Sequence, residues 1–362
     1  MKTLSDVVTE RLRSKIENGS QVATHAIEKI LSDQERAADY LTIIGQEKRF
    51  KSNGIVSYNL PEAETDFSIH PHALRQFGEK LSVPVPYLRE LASGDERQKA
   101  LAATILNEHS GWAERNRVLM RSVGSEIRGV LSDQYKRLNS QEIITAFLSE
   151  VYDMGATMTD GHFTGTRYYI ETLHPFPIIF PTPKNGDVAM AFGARLSSSD
   201  YGDGALDLRF FMLQGVCLNG MVRESVMRQM HLGSKLPDNL LLSQRTYQLD
   251  TETTVSALKD LTRQLFAPET IKRNMMAIQD ASGVEVDITK ELALLAKGGR
   301  LLKNEAEAVG KIVMQANPDD GVQGEATLWK LTQAISAHAR EIDPSRSRDL
   351  QELAGFLMER VK

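Results

Sequence analysis

"RVLMRSVGSEIRGVLSD", residues 117–133, decides how the middle of the chain folds. Two runs rich in Val, Leu and Ile flank Gly124-Ser125-Glu126, a pattern that predicts an antiparallel hairpin. Similar runs follow. "GATMT" and "HFTGTRYYIETL" are separated by Asp160-Gly161, predicted as a two-residue turn. "HPFPIIFPTP" holds four prolines in ten residues, so an extended edge is expected there. "DVAMAFGARLSSS" and "ALDLRFFMLQGVCL" flank the turn "DYGDG"; in the second run Leu206, Leu208, Phe210 and Met212 share one face and Asp207 and Arg209 the other. The fold expected is α+β: an antiparallel β-hairpin sheet with helices on one face, flanked by helical N- and C-terminal regions.

The flanks carry a 3.6-residue period. Leu4, Val7, Val8, Leu12 and Ile16 keep it, and after Asn18-Gly19 it resumes through Val22, Ala26, Ile27, Ile30 and Leu31. This predicts a helical hairpin or arm over residues 1–45, ahead of an α+β core at 46–235 and a helical region at 236–362. Ile55 to Leu60 is a strand candidate, and a helix is expected through Ile143, Phe147 and Val151. "SIHPHALRQFGEKLSVPVPYLRELASG" predicts two short helices. A DNA-reading helix-turn-helix is the sharper interpretation and plain helical packing the better one, since Pro86 falls in the supposed recognition helix and only Arg89 is placed to read bases.

Composition narrows the function classes. The 362 residues are 41% hydrophobic and 25% charged, as in ordinary folded proteins. No apolar run approaches the roughly 20 residues that span a bilayer, and no signal-peptide pattern is present, so a bacterial cytoplasmic location is expected. One cysteine excludes an internal disulfide and a cysteine-based zinc cluster. The net charge of -5 argues weakly against a general DNA coat.

Candidate chemistry is sparse. Cys217 ends an apolar strand, and Asn219 is a plausible N-cap for a helix over "MVRESVMRQM"; a buried structural thiol is the favoured reading over a nucleophile. Asp200, Asp203 and Asp207 lack the alternation of a calcium loop. His70-Pro-His72 reads as a surface turn. "HLGSK", residues 231–235, lacks the glycine spacing of a phosphate loop, so ATP-independent work is expected, with neither metal nor cofactor.

The hairpin holds the best electrostatic signal. Residues 115–137 contain Arg115, Arg117, Arg121, Arg128, Lys136 and Arg137 against only Glu126 and Asp133. Arg167 lies in the next hairpin, and Tyr135, Tyr168 and Tyr169 are aromatic candidates. Arginines that neutralise phosphates, interleaved with rings that stack on bases, are how sequence-neutral single-strand binders work. The competing reading is a solvated sheet face.

Three segments together resemble the phage- and plasmid-borne family catalogued as domain of unknown function 932: "ALRQFGEKLSVPVPYLREL", "NRVLMRSVGSEIRGVLSDQYKRLNSQEI" and "SSSDYGDGALDLRFFMLQGVCLNGM". "ATLWKLTQAISAHAREIDPSRSRDLQELAGFLM" is similar to that family's closing helices. The chain departs from the pattern at Leu218-Asn219-Gly220, where Asn-Thr is usual, and at a serine before the Asp-Gly turn, where histidine is common. The resemblance implies a role in DNA metabolism or in conflict with the host, and a distant similarity to ring-forming phage single-strand annealing proteins. The expected partners are single-stranded DNA or RNA and further copies of the chain, in a homo-oligomer or ring. The alternative is a phage interaction protein that inhibits a host defence factor without binding nucleic acid; a cysteine-dependent enzyme is the third reading.

Overall fold

The computed structural model describes residues 4–45, 47–133, 135, 139–229, 244–315 and 321–360. The fold is α+β and holds two six-stranded sheets. The first contains β1 (Ala37–Ile44), β2 (Phe50–Ser52), β3 (Val56–Leu60), β4 (Thr65–Ile69), β5 (Asn116–Val123) and β6 (Glu126–Ser132) in the order β1-β5-β6-β4-β3-β2. All its pairings are antiparallel except β4 with β6. The predicted β5–β6 hairpin forms, but its turn is Gly124-Ser125 alone, since Glu126 already pairs with Val123 in β6. One face buries Val118, Met120, Ile127 and Val130 under α2 (Pro71–Lys80), α3 (Val85–Ser93) and α4 (Glu96–Trp112). Leu74, Phe77 and Leu81 point into that core, so the α2–α3 pair is packing structure, and Arg89 stands on the outside.

The second sheet runs β12-β11-β10-β8-β7, with β9 (Ile178–Thr182) on β10 (Gly186–Ser198) as the proline-rich edge. Its other strands are β7 (Thr157–Phe163), β8 (Tyr168–Leu173), β11 (Leu206–Gln214) and β12 (Asn219–Gln229). Even-numbered residues of β10 and β11, from Met190 and Phe192 to Leu208 and Phe210, enter the main core. That core is completed by α5 (Ser140–Asp153), α6 (Gln244–Leu265), α7 (Pro268–Gly283), α8 (Ile288–Lys297), α9 (Lys303–Gln315), α10 (Leu328–Ala339) and α11 (Pro344–Met358). The C-terminal helices thus share their core with the second sheet. No helix of the described residues is long and apolar enough to cross a membrane.

Three local expectations are corrected. Asn18-Gly19 does not break the N-terminal helix: α1 runs unbroken from Leu4 to Glu35, and residues 37–44, expected to be helical, form β1. Gly19 serves close approach instead. A Cβ there would lie 1.7 Å from the Thr159 carbonyl oxygen, and one on Gly161 would lie 2.4 Å from the Ala23 Cα. These two notches seat α1 on β7. Asp160-Gly161 is accordingly no turn, since β7 passes straight through it and the chain reverses after Phe163. Residues 219–229 are a strand rather than a helix: Met221 enters the main core while Val222 joins Val8, Leu12 and Phe211 on the opposite face, an alternation of period two. Cys217 therefore sits in the hairpin turn before β12, 3% exposed, with Leu218 at φ 59°. Its Sγ lies 3.3 Å from Gln214 Oε1, and a thiol reagent should reach it only when the chain unfolds; rapid labelling of the folded protein would contradict this packing.

The glycine notch makes a stability prediction. Gly19→Val forces α1 away from Thr159, and overpacking of this kind costs about 1–3 kcal/mol. Thermal unfolding and limited proteolysis within α1 measure it; a variant as resistant as the parent would contradict the seating.

Candidate nucleic-acid interface

The hairpin arginines do not form one surface. Arg117 and Arg121 do leave the same face of β5, but only one end of that face is open. Arg117 is exposed opposite Ile43, and Arg115 is exposed with Glu47 at 4.0 Å. Arg121 is 1% exposed. Its Nε and Nη2 grip Asp39 of β1 at 2.6 and 2.7 Å, and its Nη1 donates to the Asp200 carbonyl oxygen in the loop after β10. Burial opposes the charge of Arg121, but the two-toothed Asp39 contact outweighs it and raises the pKa. Tyr135 lies 5.7 Å from the Arg121 guanidinium and donates to the Ser199 carbonyl at 3.3 Å, so it is no open stacking platform. Arg128 donates to Glu126 at 2.8 Å, to the Gly165 carbonyl at 3.1 Å and to the buried Asp33 of α1. Arg121 and Arg128 are thus corrected from phosphate ligands to ties between the two sheets. Lys136 and Arg137 lie outside the described residues.

The same seam contains the two histidines expected on a surface turn. His72 is 8% exposed; its Nε2 lies 3.0 Å from the Tyr201 carbonyl oxygen, and its Nδ1 lies 3.3 Å from Asp203 Oδ1. Among the described residues no group of three or more His, Cys, Asp or Glu is placed to hold a metal ion.

Arg167 and Tyr169 come together elsewhere, on the outer face of the second sheet. Strand register builds that face in two rows: His162, Tyr169, Ser197 and Asp207 in one, and Asp160, Glu171, Arg195 and Arg209 in the next. α1 closes it on one side with Lys15, which lines a cleft with Asp160, and α11 contributes Arg348 and Gln351 on the other. The Tyr169 ring has the Arg167 guanidinium at 5.0 Å and that of Arg348 at 4.2 Å. Arg167 also donates to Ser197 Oγ at 3.1 Å.

Arg195 is the centre of this cluster. It is 3% exposed, its Nη2 donates to Glu171 and Gln351, its guanidinium lies 5.2 Å from the Phe211 ring, and its Nε and Nη1 have no hydrogen-bond partner among the described residues. Burying a guanidinium with open donors is costly, and native structures rarely do so without a ligand or water to satisfy them. The charges around it are unequal. Burial would raise the Glu171 carboxyl, but Arg195, Lys15 and Arg348 hold it below its usual range. Burial first, and then Glu171, raise the Asp160 carboxyl. Burial and then Arg195 lower Arg348, and burial and then Arg348 lower His162. With Asp207 paired to Arg209 at 2.6 Å, Lys15, Arg167, Arg195 and Arg348 face Glu171, held ionised, and Asp160, whose carboxyl pKa is raised. This arrangement attracts an anion, and forked guanidinium donors match a phosphate.

Neither Arg195 nor Arg348 is singled out by the basic-run criterion. Arg195 did leave a trace, as the one charge within the apolar run "VAMAFGARL". Arg348 left none, because only tertiary folding brings α11 to Tyr169. The chain matches no protein-family model, no curated protein and no solved structure.

Proposed function

We propose that the protein binds single-stranded nucleic acid without ATP, holding the phosphodiester backbone at the Arg167–Tyr169–Arg195–Arg348 face. The observation that carries this reading is the buried Arg195 with two open donor nitrogens inside a net-positive, aromatic-bearing cluster. A single strand suits the face better than a duplex. Arg195 is buried and Arg167, Tyr169 and Arg348 are half-buried, so only a thin, flexible backbone comes within reach of all four and a rigid double helix is held off. Bases stack on guanidinium planes as well as on rings, so Tyr169 with its two arginines supplies a sequence-tolerant platform. A role for a homo-oligomer in recombination of mobile DNA extends this proposal on the resemblance of the sequence segments alone, since no family model matches the chain.

Fluorescence anisotropy of a labelled single strand and its matching duplex, at several salt concentrations, tests this. Phosphate contacts from Arg167, Arg195, Arg348 and Lys15 give a log–log salt slope of about -3 for a single strand. Absence of binding to either at low salt overturns the reading and favours the interaction-protein alternative, which the net charge of -5 suits.

Affinity should also rise on mild acidification. The folded Asp160 holds its proton above its ordinary value of 3.8, so a falling pH removes a negative charge facing Lys15, Glu171 and Arg348, beside His162 on its own strand. The stability sign agrees: a raised carboxyl binds more protons folded than unfolded, so stability falls as pH rises through that window. Asp160→Asn should flatten the acid rise in affinity; an unchanged pH profile would assign it to another group.

A further inference from the structure

We infer that the cleft where α11 ends, between Arg300 and Phe356, is a nucleobase site for the strand whose phosphates bind at Arg348. The inference rests on the reading above and extends it to a second place. α11 presents Arg348, Glu352 and Phe356 at i, i+4 and i+8, one slowly drifting stripe about 12 Å long. Arg348 lies on Tyr169, Glu352 accepts from Arg209 at 2.9 Å, and Phe356 has the Arg300 guanidinium at 5.3 Å from its ring. The stripe thus starts and ends in a cation–aromatic pair, a distance that a few nucleotides of extended strand cover.

The two ends differ in charge, and the difference sorts phosphate from base. At the Arg348 end positive charge is in excess. In the cleft it is cancelled: Arg346 is paired to Glu305 at 2.6 and 2.7 Å, and Arg209 is paired to Asp207 and Glu352. A phosphate gains little there. A neutral aromatic ring gains more, because Phe356 is 46% exposed at the cleft and Arg300 is exposed next to it, so both faces of the pair are open to stacking. The cleft encloses about 420 Å³, within the range of small-ligand sites and enough for a base with its sugar.

Stacking carries no counterion release, so it changes affinity without changing salt dependence. An oligodeoxythymidylate octamer titrated against the full chain over a salt series reads both quantities. Phe356→Ala should weaken binding on the order of 10-fold at every salt concentration with the slope retained, and Phe356→Tyr should restore it. A Phe356→Ala line that coincides with the parent's, or one that loses slope, overturns the base site while leaving phosphate binding at Arg348 standing. Failure of the parent chain itself to bind the octamer removes the underlying reading and this one with it. Circular dichroism of Phe356→Ala verifies the fold, which an exposed side chain should not support.

Discussion

Replacing Arg348 by glutamine should weaken single-strand binding roughly 10- to 100-fold while leaving the fold at least as stable as before. Stability and binding separate here because of what surrounds the guanidinium. Arg348 is partly buried beside a second cation, Arg195, and both burial and that repulsion lower its pKa. Its hydrogen bond at 3.0 Å returns to the Pro344 carbonyl of its own helix. Neutralising it relieves a repulsion and keeps most of the volume. A charged hydrogen bond to a phosphate contributes about 1.5–3 kcal/mol, which sets the affinity loss, and one lost contact should reduce the salt slope by about 0.7. Anisotropy titrations and thermal unfolding of the same preparation measure both. Lower stability with unchanged binding would make Arg348 a structural residue.

The second large effect concerns the Asp39–Arg121 pair, which joins β1 to β5 within the first sheet and where the exposed partner should matter more than the buried one. Asp39 is 41% exposed and Arg121 is 1% exposed. Asp39→Ala leaves the Arg121 guanidinium with the Asp200 carbonyl but without its charged partner, and loss of such a half-buried partner costs about 1–3 kcal/mol. Arg121→Met leaves Asp39 free to turn towards solvent and fills the vacated space with apolar atoms, so its cost should be smaller despite the greater burial of the residue replaced. The double variant should recover most of the loss of Asp39→Ala. Chemical denaturation of the three proteins gives the ordering; Arg121→Met as the worse single variant would show that the packing over Tyr135 outweighs the buried charge.

Much of this architecture was legible because it is local. Gly124-Ser125-Glu126 between two apolar runs specified its hairpin to within one residue of the turn, and the proline spacing of residues 174–183 specified an edge. What failed were local signals overridden from a distance. Asn18-Gly19 and Asp160-Gly161 are both turn dipeptides, yet each glycine is spent on the approach of α1 to β7, a contact absent from either segment alone. Residues 219–229 contain helix formers such as Met221, Arg223 and Glu224, but pairing with β11 decides in favour of a strand. The site was legible only in part. The count of basic residues led to Arg121 and Arg128, whose charges are used by Asp39 and Asp33 from earlier elements. Arg167 and Tyr169 were found, and their partner on α11 was not, since no sequence pattern links residues 169 and 348.

The stretch from α1 to β1 also bears on how the chain reaches its fold. One residue, Arg36, separates a helix seated on the second sheet from a strand that completes the edge of the first. Asp39 meets Arg121 across 82 residues, Asp33 meets Arg128 across 95, and Gln34 meets Asp200 across 166. Closing loops of that length is entropically costly before any contact forms, yet the cost grows only slowly with length, so one closure can serve all three pairs. The N-terminal segment is therefore expected to lock late and in a single step, after both sheets exist to receive it, and refolding should end in a slow phase reported by protection of the β1 amides.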